Sequence, residues 1–149
     1  MGATVKIPNT LSGVTSVLVA GWYPNVTDTS SYPNTPSAGR VWDAIDATTC
    51  AGPQGSQTGP DEMDFAVLLT NGSTADVSSG ASGSQFGGAL ASLSELGNNL
   101  STLAANQCTR GWVVFSVPQG TTPEYVQFSG TSASFSQSNS NVKWTIPAS

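Results

Sequence analysis

Apolar positions in this chain alternate with a period of two far more often than they recur at helical spacing. In 109–118, the densest apolar run, Val113, Phe115 and Val117 alternate with Trp112, Val114 and Ser116. One face of an extended segment here is wholly apolar and the other mostly so. This predicts a central strand with apolar material packed on both sides. Pro118, which has no N–H to give a ladder, closes it. The same period marks 62–70 (Phe65, Val67, Leu69), 123–128 and 142–146 (Val142, Trp144, Ile146), and 3–7, 14–23 (apolar at Val17, Leu18 and Val19) and 40–50 read as further strands. Asn71-Gly72 after Leu69 is a strong hairpin signal. It predicts a type I′ turn, with φ > 0 at both central positions, and a returning strand over 73–77.

Between these strands the pattern breaks. Residues 25–39 are dominated by Asp28, Ser30, Pro33, Asn34, Pro36 and Gly39, and residues 51–60 carry three glycines and two prolines, so both read as loops. Residues 78–88 are almost all Ser, Gly and Ala, with Phe86 the one large apolar anchor. Such a segment buries little against its ordering entropy and is expected to be mobile. Leu90, Leu93, Leu96, Leu100 and Leu103 recur at spacings of three and four, a helical stripe. Gly97-Asn98-Asn99 interrupts it, so one short helix near 89–96 is expected. About seven to nine short strands separated by turn residues predict an all-β sandwich of two antiparallel sheets in a single domain, 1–149.

Composition narrows the setting. Only 9% of residues are charged, well below the usual quarter, and the net charge is −5. A weakly charged surface rich in Ser, Thr, Asn and Gly suits a secreted or cell-surface domain, and the acidic balance disfavours nucleic acid or anionic membrane as partners. No apolar run approaches the ~18 residues that span a bilayer. Met1-Gly2 reads as an expression start on a mature domain, compatible with a lipid anchor on a removed N-terminal segment. Cys50 ends one predicted strand and Cys108 precedes another, so a bridge between neighbouring strands is expected; two buried free thiols are the other reading.

Candidate chemistry is sparse. With no histidine in the sequence, a Ser-His-Asp or Cys-His machine is excluded. Neither a glycine-rich phosphate loop nor any cofactor motif is present, and no catalytic residue emerges. Asp61, Glu62 and Asp64 form the one acidic cluster, a weak calcium candidate without EF-hand spacing, and acids before a strand more often keep a loop solvated. Asp43 and Asp46, three apart in a strand, point to opposite faces, so one of them needs a buried partner such as Arg40 or Arg110. Tyr23, Tyr32 and Trp42, with Trp22, lie near the 23–39 loop and could form a ligand or partner surface. Trp22 and Trp42 are the ones expected in the core.

The succession Gly21-Trp22, Tyr32-Pro33, Ala38-Gly39-Arg40-Val41-Trp42-Asp43-Ala44, then Gly111-Trp112-Val113-Val114-Phe115-Ser116-Val117-Pro118 and the strand from Pro123 to Phe128 resembles a known family. These are the immunoglobulin-like small secreted antigens of mycobacteria and the wider telokin-like extracellular and lipoprotein domains of Gram-positive bacteria. The resemblance covers about two thirds of the chain; the cysteine pair and the Ser/Gly/Leu insert at 78–106 depart from it. It implies an immunoglobulin-like sandwich, export and no enzymatic activity. The expected function is that of a secreted or cell-surface domain acting through contacts with a host or cell-wall protein. The alternative is a carbohydrate-binding module using exposed Tyr and Trp near the 23–39 loop. A flat, aromatic-poor sheet face favours the first, and a row of coplanar exposed aromatics the second.

Overall fold

A computed structural model of the protein describes residues 1–6, 13–56, 64–97, 102–128 and 142–148. Among these described residues, eight strands form two four-stranded antiparallel sheets, the two-sheet sandwich that the alternation predicts. They are β1 (Thr4–Lys6), β2 (Val14–Tyr23), β3 (Arg40–Ala51), β4 (Phe65–Leu69), β5 (Thr74–Ala75), β6 (Cys108–Pro118), β7 (Pro123–Phe128) and β8 (Val142–Thr145). The first sheet runs β1-β2-β3-β6 and the second β5-β4-β7-β8.

Between the sheets lies the main core. The first sheet contributes Val17 and Val19, Ile45 and Ala47, then Val113, Phe115 and Val117. The second contributes Phe65, Val67, Leu69, Val126, Phe128 and Trp144. Register explains one exception to simple alternation. Val19 pairs with Ala47 and Gly21 with Asp46, so Ala20 is a bulge. The extra residue returns Trp22 to the inner face, where its ring stacks on Phe115 at 6.3 Å.

Strand β6 ends the hydrogen-bonded order instead of lying at its centre, which β2 and β3 occupy. It reads as central because both its faces are buried and its free edge is closed. Ser116 N–H donates to Asp76 O and Ser78 N–H to Val114 O. Further along, Trp112 N–H donates to Ser94 O and Leu96 N–H to Trp112 O. On the opposite side of the sandwich, Trp144 Nε1–H donates to Ala3 O at 2.9 Å. The sheets are thereby tied to each other on both sides of the sandwich, and the β6 edge is covered.

The segment after β5 differs from expectation. Residues 78–88 have three side chains buried, Ala81, Ser84 and Phe86, more than the one apolar anchor expected, and no α-helix forms over 89–96. Two single 3₁₀ turns, Ser79–Ala81 and Gly88–Leu90, carry the chain across the outer face of the first sheet. There Ala81, Phe86 and Leu90 pack on Trp42, Ala44, Trp112 and Val114 in a second apolar cluster. The leucine stripe is divided: Leu90 belongs to this cluster, with Leu93 against it, while Leu96 enters the main core. A helix would place Leu90 and Leu96 on one stripe, and two separate burial sites override that. The β4–β5 hairpin forms, but only Gly72 has φ > 0 (83°). Asn71 instead accepts the Ser73 N–H and hydroxyl on its side-chain oxygen, at 2.9 and 2.7 Å.

Cys50 and Cys108 face each other across β3 and β6 and are joined. The bridge spans 58 residues of sequence. A loop of that length contributes roughly 4 kcal/mol by chain entropy.

Candidate functional site

The aromatic residues near the 23–39 loop do not assemble into a platform. Trp42 is 1% exposed and sits under Phe86 in an edge-on contact at 6.4 Å, so it offers no surface to a ligand. Its burial follows from position: it shares the outer face of β3 with Ala44, the face that the 78–96 segment covers. Tyr23, one pair further along β2 than Trp22, lies over Gly21, where a Cβ would come within 2.7 Å of the phenol oxygen. Tyr32 is 92% exposed, the one fully exposed large ring among the described residues.

The loop itself is built, and Asp28 builds it. Its Oδ1 accepts the N–H groups of Ser30 at 2.9 Å and Gln85 at 3.1 Å, and its Oδ2 accepts the Asn34 N–H at 2.9 Å. These bonds, led by that from Asn34 and then Ser30, hold the carboxyl well below the usual carboxylate range. Asn34 Nδ2–H donates to Ser84 Oγ, and Thr29 N–H to Gln85 O. One carboxylate therefore ties residues 28–34 to the 84–86 stretch. Its sequence signal is slight, since Asp in a Ser/Pro/Asn-rich stretch reads only as a turn former.

Asp43 and Asp46 do point to opposite faces. Asp46, on the outer face, accepts a fork of two bonds from Arg110, Nε to Oδ1 at 2.9 Å and Nη2 to Oδ2 at 2.7 Å. Arg40 donates instead to the hydroxyl and carbonyl of Ser116. Asp43, on the inner face opposite Phe115, is 4% exposed and, among the described residues, accepts only the Asn25 N–H on Oδ1, at 2.9 Å. Burial pushes its carboxyl above the usual range, and the Asn25 bond offsets part of that. It lines a cleft of about 470 Å³ at the end of the sandwich, between Trp22, the start of β3, the β6–β7 turn and Ile146-Pro147.

Of the acidic cluster, Asp61 and Glu62 lie outside the described residues, and Asp64 is buried just ahead of β4. Among the described residues no group of three potential ligands gathers to hold a metal ion. The outer face of the second sheet is different in kind from these polar sites. Ala66, Leu68, Tyr125 and Gln127 are half-buried and Thr74, Lys143 and Thr145 exposed, with Lys143 Nζ 5.7 Å from the Tyr125 ring centre. Among the described residues this face is mixed in polarity and carries one aromatic side chain.

No known family profile matches this sequence, and no curated protein does. Two solved structures are similar in three dimensions. One is MPT63, a secreted protein from Mycobacterium tuberculosis, with a TM-score of 0.55 and 18% identity over 97% of this chain and 98% of its own. The other is YcdA from Bacillus subtilis, assigned as a lipoprotein, with a TM-score of 0.54 and 16% identity over 95% of this chain. This chain spans 38% of the length of YcdA. At such identities the likeness is one of fold, and it agrees in fold with the resemblance carried by the Trp22, Trp42 and Trp112 motifs.

Proposed function

We propose that this chain is an exported, non-enzymatic sandwich domain that works by protein contact, through the outer face of its second sheet, with a host or cell-wall protein. The observation that carries this reading is the contrast between the two outer faces. The first sheet's is largely roofed by the 78–96 segment, while Leu68, Tyr125, Thr74 and Thr145 make the second mixed in polarity and poor in aromatics. A face of mixed polarity matches the average character of a non-obligate protein interface, and with one exposed-side aromatic it offers no row of rings for stacking on a sugar. Export is supported by the Cys50–Cys108 bridge, which persists in oxidising compartments, and by the secreted and lipoprotein descriptions of the two structural neighbours. The sugar-binding alternative retains Tyr32 and, at its edge, Tyr23.

Two binding screens, one of immobilised host and cell-envelope proteins and one of a glycan array, separate the readings. The expected result is a protein ligand whose binding falls at least tenfold in Leu68→Glu and Tyr125→Ala, with the glycan array blank. Glycan binding abolished by Tyr32→Ala would overturn the proposal.

A further inference from the structure

Asp43 is a buried acid, and the three cationic side chains among the described residues, Arg40, Arg110 and Lys143, are engaged elsewhere. Arg110 is forked onto Asp46 and Arg40 is bonded to Ser116, both on the outer face of the first sheet. Lys143 lies over Tyr125 on the outer face of the second. Lys6 pairs with Ser16, which pairs with Cys50, seven residues along β3 from Asp43. One Asp43 oxygen takes the Asn25 N–H, and the other has no hydrogen-bond partner among the described residues. The cleft that Asp43 lines has apolar walls in Trp22, Val41, Val117, Pro118 and Ile146, and polar ones in Asn25, Gln119, Thr121 and Thr122. A carboxylate at 4% exposure, set among apolar walls and facing an open space of about 470 Å³, has the form of a receptor for a charged head on an apolar stem.

We propose that this cleft binds a primary ammonium group carried on a short alkyl chain, with the Asp43 carboxylate as its counter-ion. An ammonium is the simpler fit, because a point charge asks for no bidentate geometry at a carboxylate whose Oδ1 already accepts the Asn25 N–H. A compact head with three donors needs only the remaining oxygen. Thr121 and Thr122 are polar residues lining the same cleft. The Trp22 ring supplies a wall for the stem and a face for the charge. The space exceeds one alkyl chain, so the amine is either a free small molecule or the side chain of a lysine presented by a partner protein. The chemistry is common to both, and the site does not depend on the sheet-face contact proposed above.

The test is a two-dimensional NMR titration of the intact chain with n-butylammonium, with Nα-acetyl-lysine N-methylamide and with neutral n-butanol. Both cations are expected to shift the amides of Asn25, Thr121 and Thr122 and the Trp22 indole signal saturably, with butanol at least tenfold weaker. Asp43→Asn keeps the acceptor for Asn25 and removes the charge, and should weaken cation binding at least tenfold. Should that variant not fold, Thr122→Trp at the exposed mouth, which leaves Asp43 intact, is expected to block both cations. Tighter binding of the lysine derivative assigns the site to a protein side chain, and tighter binding of butylammonium to a free amine. Equal shifts with butanol, no shift with either cation, or undiminished binding in a folded Asp43→Asn would each overturn the proposal.

Discussion

Strands β3 and β6 bury both their faces, but against material of two different kinds. On the inner face, Ile45, Val113, Phe115 and Val117 meet Val67, Val126 and Phe128 from strands with the same two-residue period. On the outer face, Trp42, Ala44, Trp112 and Val114 meet Ala81, Phe86 and Leu90, which come from an irregular chain at spacings of five and four. In the first cluster, apolar residues hold regular elements together. In the second, a few polar and backbone bonds hold an irregular chain down so that its apolar residues can pack. Phe86 shows how far that packing goes, with its ring edge-on to Trp112 at 5.0 Å as well as to Trp42.

Large-to-small changes should expose the difference most strongly. Phe115→Ala removes the ring on which Trp22 stacks and leaves a cavity between two rigid sheets, at an expected cost of about 3–5 kcal/mol. Phe86→Ala removes a ring of equal size from a segment that can settle onto the sheet, and should cost less. Ser116→Ala, on the outer face beside Phe115, deprives Arg40 of one acceptor and should cost about 1 kcal/mol. Urea melts of the three variants test the order. A loss in Phe86→Ala equal to that in Phe115→Ala would mean that the outer cluster is as rigid as the inner one.

The inner cluster was legible in the sequence and the outer one was not, for a physical reason. Alternation specifies which strand face is buried, so the period of two alone places Phe115, Val67 and Trp144 in the core, and it sets the Cys50–Cys108 pair at two strand ends. The apolar outer residues Trp112 and Val114 likewise announce that something covers them. What covers them carries no period. Its position depends on hydrogen bonds between residues 50 or more apart, such as Asn34 to Ser84 and Gln85 to Asp28, and on backbone docking along β6. Leucines at helical spacing suggest a helix because local pattern cannot show that Leu90 and Leu96 enter different clusters. The Asp43 cleft was half legible: an acid in an apolar strand signals a need for a partner, but the cleft exists only where separate segments of chain converge.

Gly111 is where the docking along β6 can be broken with a single methyl group. A Cβ at this position would lie 2.6 Å from both Leu96 N and Ser94 O, which are backbone atoms and cannot swing aside. Gly111→Ala should therefore push residues 94–96 off the edge of β6, lose the paired bonds to Trp112 and draw Leu96 out of the main core. Overpacking of this kind costs about 1–3 kcal/mol. Hydrogen exchange should show Trp112 and Leu96 amides losing protection while the β3 amides keep theirs. Unchanged protection at Leu96 would mean that the segment is held by its apolar residues, and that the two clusters are built alike.

Asp28 offers the smallest and most local perturbation, and the one that pH can apply without mutation. Its folded carboxyl is held below the usual range by N–H groups from Asn34, Ser30 and Gln85, so the folded state favours the ionised form more than the unfolded chain does. The contribution is therefore fully present above the ordinary Asp range, near pH ~4, and is lost as pH falls below it toward the depressed folded value. Asp28→Asn removes that dependence and sets an amide donor against the Asn34 N–H. The variant should melt close to the parent, because both sheets are intact, yet exchange faster at Ser30, Asn34 and Gln85 at neutral pH. Acidifying the parent from pH ~4 toward the depressed folded value should bring the protection of those three amides progressively down to the variant's, while leaving Val113 and Phe115 protected. If protection at those amides instead survives acidification in the parent, the carboxylate is not what pins this irregular chain, and the outer cluster is held chiefly by Phe86 and Leu90.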